Sequence, residues 1–236
     1  MLRAITFDFW DTLYKIPRNE GVFKRRVAMF QEALRDMGYS ADTDSIREAF
    51  YDSWQYANHY QIECGLDLTP RGQLEYVLRQ LKLDLRIDEW KKAYEAYTSI
   101  RREYPPRLND GVLETIPELA GRYKLAVICN TGISPGVILR DLMRADGIFD
   151  YFTVTVFSDE VRWAKPNVKI FDYTLQHLGV LNNEAAHVGD NSNTDMVGAK
   201  AAGMTAVWLA PEADDTEITA DCDYRIRSLA ELLQLF

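Results

Sequence analysis

Six polar residues follow closely on short apolar runs of the sequence, and their types fit one kind of chemistry. They are Asp8, Asn130, Thr131, Lys165, Asp190 and Asp195. Carboxylates that are forced together repel one another and stay ionised only beside a cation. Oxygen ligands of this kind select Mg²⁺, and a nearby lysine supplies a point charge for phosphate oxygens. Because a carboxylate can also act as a nucleophile, the set predicts Mg²⁺-assisted phosphoryl transfer through a covalent intermediate.

These residues come together only if the apolar runs are strands of one sheet. The runs are 4–7, 125–129, 152–157, 186–188, 205–209 and 224–226. Segments with helical periodicity separate them, at 112–123, 134–143, 168–179, 194–202 and 229–235. This alternation predicts an α/β fold with a Rossmann-like, doubly wound parallel sheet. Ligands of such sheets bind outside the carboxyl ends of the strands, where the six polar residues lie.

The stretch from 17 to 107 breaks this alternation. Its apolar residues recur at helical spacing in four segments, and Thr69-Pro70 is typical of the start of the third. No strand pattern is found in this stretch. We therefore expect a Rossmann-like core formed by residues 1–16 and 108–236, with residues 17–107 inserted as a helical cap.

The composition excludes several classes of protein. The chain has 236 residues, 36 Asp and Glu against 27 Lys and Arg, and a formal net charge of −9. An acidic balance argues against nucleic-acid and anionic-membrane partners. No apolar run approaches the roughly 20 residues that span a bilayer, and residues 1–9 do not resemble a signal peptide. We expect a cytoplasmic protein that acts on a small molecule, and the sequence does not indicate its oligomeric state.

Four segments resemble, in order, the four motifs of the haloacid dehalogenase (HAD) superfamily. The segments are 5–13, 127–132, 165–166 and 189–195. Each motif is weak alone, but all four at successive strand ends are specific. The resemblance covers essentially the whole chain. It implies a hydrolase with a helical cap, most similar to the phosphatases that use Mg²⁺ on small phosphorylated substrates.

The resemblance also implies roles for individual residues. Asp8 would be the nucleophile, and Lys165 would bridge it to the phosphate. The turn at Asn130-Thr131 would hold phosphate oxygens. The Mg²⁺ ligands, direct or through water, would be Asp8, the Trp10 carbonyl, Asp190 and Asp195.

Two positions depart from the pattern of the family. Its phosphatases usually carry a second Asp, the general acid and base, where this chain has Trp10. Asp11 is the nearest carboxylate, and it is either the acid/base or a turn residue that accepts backbone N–H groups. In the second motif Cys129 replaces the usual hydroxyl residue, so either Thr131 or backbone N–H groups would take its part.

These departures leave two other functions open. One is a 2-haloacid dehalogenase-type hydrolase that needs no metal, although the Asp190 and Asp195 pair argues against it. The other is a low-activity protein with a binding or regulatory role. The arginine pairs Arg25-Arg26 and Arg101-Arg102 of the cap are expected to be solvated faces, not phosphate clamps.

Overall fold

A computed structural model describes residues 1–16, 20–211 and 221–236 of the chain. Its strands are β1 (Ala4–Phe7), β2 (Tyr14–Lys15), β3 (Arg107–Leu108), β4 (Lys124–Cys129), β5 (Phe152–Phe157), β6 (Ala185–Gly189), β7 (Thr205–Leu209) and β8 (Tyr224–Ile226). Its helices are α1 (Glu20–Asp36), α2 (Thr43–Cys64), α3 (Thr69–Gln80), α4 (Ile87–Thr98), α5 (Ile100–Glu103), α6 (Val112–Ala120), α7 (Gly136–Ala145), α8 (Ser158–Val161), α9 (Val168–Leu178), α10 (Val197–Ala201) and α11 (Leu232–Leu235).

Six of the strands form one parallel sheet in the order β5-β4-β1-β6-β7-β8. The six predicted runs are these strands, so the predicted parallel α/β fold is confirmed. The chain order reverses on either side of β1, whose neighbours are β4 and β6. Asp8, at the end of β1, therefore lies at the switch point of the sheet, where α/β proteins bind their ligands.

Successive side chains of the central strands supply two apolar clusters, one on each face of the sheet. In β4, Leu125, Val127 and Cys129 face one cluster, and Ala126 and Ile128 face the other. This strict alternation, with both faces covered by helices, is expected of a buried parallel strand. It fixes the register of β4 and so the position of the polar turn that follows.

Helices α1 to α4 pack on one another around an apolar cluster of their own, which includes Phe30, Phe50 and Tyr97. Strands β2 and β3, which the apolar pattern did not predict, pair antiparallel where the chain leaves the sheet and returns to it. Two-residue strands are too short to give a periodic pattern. Arg107 is in β3, so the helical stretch ends on a strand residue.

Within the described ranges, every helix is too short or too polar to cross a lipid bilayer.

Candidate active site

Asp8 follows β1, Lys165 follows β5 and α8, and Asp195 follows β6, so the three side chains meet at the carboxyl edge of the sheet. Lys165 Nζ lies 2.5 Å from Asp8 Oδ1 and 2.6 Å from Asp195 Oδ1. It also donates a hydrogen bond to the Ile128 carbonyl at 2.8 Å. All three charged side chains are buried, and Lys165 is only 1% exposed. Although burial alone would lower it, the carboxylates of Asp195 and Asp8 raise the pKa of Lys165, so this lysine is a fixed positive charge.

Three carboxylates crowd around this ammonium. Oxygens of Asp8, Asp190 and Asp195 lie within 4.8 Å of one another. Burial raises the pKa of Asp8 to about 7, against the opposing effect of Lys165. Burial and the charges of Asp8 and Asp195 raise the pKa of Asp190 to about 8. A cluster of hard oxygen donors with excess negative charge fits a divalent cation such as Mg²⁺.

A buried histidine fixes the orientation of Asp195. His187 Nε2 lies 3.1 Å from Asp195 Oδ1, and His187 Nδ1 lies 2.8 Å from the Thr6 hydroxyl. Burial lowers the pKa of His187, so the neutral imidazole donates from Nε2 and accepts from Thr6. The Asn191 N–H donates to Asp195 Oδ2 at 3.1 Å. A Cβ at position 189 would overlap the Asp195 side chain, which explains the glycine there.

The second-motif turn uses its side chains to join neighbouring segments. The Asn130 amide donates to the Lys165 carbonyl at 2.9 Å, and its Oδ1 accepts from the Lys165 N–H at 2.8 Å. The Asn130 side chain therefore positions Lys165. The Thr131 N–H donates to Ser158 Oγ at 3.0 Å, and the Ser158 hydroxyl donates to Asp67. Substrate binding by Asn130 and Thr131 stays a prediction.

Cys129 does not face the same space as this turn. Its side chain is fully buried in the apolar cluster that contains Val127 and Phe157. Burial, and then the charge of Asp8, raise the pKa of the Cys129 thiol well above its ordinary value. The thiol is therefore neutral, and the residues of this motif that line the cavity are Asn130, Thr131 and Gly132.

Trp10 and Asp11 form the turn that follows Asp8. The Trp10 ring packs edge-on against Phe9, with 4.9 Å between the ring centroids. Asp11 has a φ of 54°, and its Oδ1 accepts a hydrogen bond from the Ile16 N–H at 2.9 Å. The Asp11 carboxylate thus stabilises the turn and also lines the cavity. The acid/base role of Asp11 and the ligand role of the Trp10 carbonyl stay predictions.

The site opens into a cavity of about 550 Å³ between the sheet edge and the helices α1, α2 and α5. Two arginines of these helices, Arg26 and Arg101, line it together with Asp8 and Lys165. Arg26 and Arg101 are half-buried. The expectation that both arginine pairs are solvated is therefore wrong for one member of each pair.

Besides these arginines, four residues that contact the site were not predicted from the sequence. Gln61, Asp67 and Gln73 come from the helical segment, and Ser158 starts α8. Gln73 donates to the Gly132 carbonyl at 3.0 Å, and Gln61 accepts from Asn130 at 3.3 Å. Ser158 directly follows β5, so the rule that polar residues at strand ends matter could have found it. Nothing in the pattern marks the other three.

Comparison with known proteins agrees with this geometry. A family model described as haloacid dehalogenase-like hydrolase matches residues 2–203. A ribulose-1,5-bisphosphate 5-phosphatase of Halopiger xanaduensis is 29% identical over 247 residues, spanning 100% of this chain and 99% of that protein. The structure of a HAD phosphatase from Thermococcus onnurineus is 28% identical, with a TM-score of 0.69, and covers 99% of this chain and 97% of that one.

A 2-haloacid dehalogenase from Pseudomonas syringae superposes with a TM-score of 0.74, covering 100% of this chain and 98% of that one. Its identity is 22%, so this likeness shows the fold alone. Since the family model matches residues 2–203, the resemblance of the four motifs is confirmed: the chain belongs to the haloacid dehalogenase-like hydrolases.

Proposed function

We propose that the protein is a Mg²⁺-dependent phosphatase that hydrolyses a small phosphomonoester through an aspartyl-phosphate at Asp8. The observation that carries the proposal is the meeting of Asp8, Asp190 and Asp195 around Lys165 at the floor of one cavity. The phosphatase from Halopiger xanaduensis, similar over the whole chain, supports it. The three carboxylates and the Trp10 carbonyl would hold the metal, which would neutralise charge on the phosphoryl oxygens.

The chain's own residues would divide the remaining work. An oxygen of Asp8 attacks phosphorus, a P–O bond forms, and the bond to the leaving alcohol oxygen breaks. Lys165 keeps Asp8 oriented and offers a positive charge to the phosphoryl oxygens. Asp11 would give the leaving oxygen its proton and then take one from the water that attacks phosphorus. That attack releases inorganic phosphate and restores the Asp8 carboxylate.

We also propose that residues 17–107 act as the cap of this site, with the core in 1–16 and 108–236. Gln61 and Gln73 reach from α2 and α3 to the second-motif turn. Asp67, between these helices, accepts hydrogen bonds from Ser158 of the core and from Gln61. A cap held in this way excludes water from the reacting groups and decides which substrates fit.

The test is phosphate release from a panel of phosphomonoesters, with and without Mg²⁺. Wild type is expected to release phosphate only with Mg²⁺, and Asp8→Asn is expected to lose the activity. Asp172→Asn, an exposed aspartate of α9, is the matched control and should keep it.

Two other outcomes would replace the proposal. Chloride release from 2-haloacids without Mg²⁺ would make the protein a dehalogenase. Mg²⁺ binding with no turnover on any substrate of the panel would favour a binding or regulatory role. The Trp10 substitution motivates both arms of the assay.

A further inference from the structure

Two arginines in the cavity have donor groups with no partner. Arg26 Nε, Arg101 Nε and Arg101 Nη1 are buried, and none of these atoms has a hydrogen-bond partner among the described residues. Leaving a buried donor unpaired is unfavourable, and more so when the donor is charged. Arginines held in this way are expected where a ligand supplies the missing acceptors.

The sequence neighbours of these arginines behave differently. Arg25 pairs with Glu103 at 3.0 Å and with Glu32 at 3.3 Å. The Arg102 side chain is 55% exposed to solvent. Arg26 and Arg101 form no ion pair within 1–16, 20–211 and 221–236, and they lie close enough for their charges to oppose each other. Burial, and then the charge of Arg101, lower the pKa of Arg26 to about 10, so Arg26 is charged at neutral pH. Burial also lowers the pKa of Arg101.

One of the two arginines, Arg101, contacts the turn that follows Asp8. The Arg101 guanidinium lies over the Trp10 ring, 5.3 Å from its centroid. This cation–π contact holds the guanidinium beside the turn that carries Asp8. The space beyond the nucleophile therefore has a positive wall made of Arg26 and Arg101, while Lys165 and the carboxylates form the floor.

We propose that Arg26 and Arg101 bind a second anionic group of the substrate, a phosphate or a carboxylate, at the end remote from the scissile phosphate. This inference rests on the proposed function and names the substrate class: small phosphomonoesters with a second anion. Guanidinium groups bind both kinds of anion through paired hydrogen bonds. The cavity of about 550 Å³ has room for such a compound.

The test compares substrates that differ in the remote group. One pair is glycerol phosphate and 3-phosphoglycerate, and the other is fructose 6-phosphate and fructose 1,6-bisphosphate. Wild type with Mg²⁺ is expected to show a kcat/KM at least tenfold higher for the member with two anionic groups in at least one pair. Arg101→Gln is expected to remove that preference, measured as the ratio of the two kcat/KM values. Arg102→Gln removes the same charge from the neighbouring residue and is expected to keep the preference.

Binding is measured separately, so that the two proposals can fail independently. Calorimetric titration of Asp8→Asn with each compound, in Mg²⁺, needs no turnover. We expect the compounds with two anionic groups to bind more tightly, and we expect this difference to be lost when Arg101→Gln is added. That result supports the arginine site even where no substrate is hydrolysed. Hydrolysis without any Arg101-dependent preference overturns the arginine site and leaves the phosphatase. If the protein shows no hydrolysis and no Arg101-dependent binding, both proposals are wrong.

Folding of the variants is checked by circular dichroism. If Arg101→Gln does not fold, Arg101→Lys keeps the charge and the aliphatic stem but loses the paired donors. It should then lower the ratio of the two kcat/KM values at least threefold. An unchanged preference in Arg101→Lys and in Arg26→Gln would overturn the inference.

Discussion

Replacing Lys165 by methionine leaves two buried carboxylates without the ammonium that lies between them. Lys165 Nζ is 2.5 Å from Asp8 Oδ1 and 2.6 Å from Asp195 Oδ1, and its side chain is 2% exposed. Removing one partner of a buried ion pair costs about 3–5 kcal/mol. We expect Lys165→Met to lower the free energy of unfolding by about that amount at pH 8 in metal-free buffer.

The loss must shrink as the pH falls. Lys165 lowers the pKa values of Asp8 and Asp195, so its removal raises both. A carboxyl whose pKa is higher in the folded than in the unfolded state makes stability fall as the pH rises between the two values. Each extra proton held by the folded variant contributes about 1.4 kcal/mol per pH unit. The destabilisation should therefore be about 2–3 kcal/mol smaller at pH 5.5 than at pH 8.

The assay is urea unfolding in EDTA at both pH values, followed by the fluorescence of the five tryptophans. Lys91→Met, an exposed lysine of α4, is the control, and we expect a change within about 0.5 kcal/mol. A Lys165→Met loss below about 1 kcal/mol, or an equal loss at both pH values, would refute the electrostatic reasoning.

Three further predictions follow from the same cluster. Asp190→Asn removes one of the crowded charges, so the metal-free variant should melt a few degrees higher than wild type at pH 8, and Mg²⁺ should no longer stabilise it. Scanning calorimetry with and without Mg²⁺ measures both effects, and a lower melting temperature of the metal-free variant would contradict the prediction. Mg²⁺ affinity, measured by titration, should rise as the pH passes the pKa values of Asp8 and Asp190, about 7 and about 8, because the metal must displace protons from both carboxyl groups. An affinity that does not change from pH 6 to 9 would contradict this prediction. Asp11→Asn should lower kcat more than tenfold if Asp11 is the acid and base, whereas a smaller loss would assign it to the turn alone.

The sheet and the meeting of the candidate site residues could be predicted, because both depend on short-range patterns. A run of apolar residues such as Leu125 to Cys129 predicts a buried parallel strand, and the next polar residue along the chain marks its carboxyl end. The topology rule then places Asp8, Lys165, Asp190 and Asp195 at one edge without any knowledge of side-chain contacts. The structure brings these four residues together.

The arginine wall could not be predicted from such patterns. Arg25 and Arg26 are neighbours in sequence, but successive residues of a helix point about 100° apart. One therefore pairs with acids at the surface and the other faces the cavity. Which of the two turns inward depends on how α1 packs on α2 and α4, and periodicity does not specify that packing. Arg101 and Arg102 differ in the same way.

The hydrogen bonds that join the helical segment to the second-motif turn and to α8 were not predicted, for a related reason. Asp67 lies in a connection between helices and is nevertheless only 1% exposed. Its burial is compensated by the hydrogen bonds that it accepts from Ser158, Gln61 and the Thr69 N–H. Loop acids are usually solvated, and the partners are up to 91 residues away in sequence. Such contacts become visible only in three dimensions.

The proposed mechanism requires that Asp8 carries the phosphoryl group during the reaction. Wild-type protein would be mixed with Mg²⁺ and a phosphomonoester that it hydrolyses, quenched in acid within one turnover, digested and analysed by mass spectrometry. We expect the peptide that contains Asp8 to gain the mass of one phosphoryl group, and we expect no gain in Asp8→Asn. A substrate that is hydrolysed at the same rate by Asp8→Asn, or a phosphoryl group found on another residue, would contradict the account.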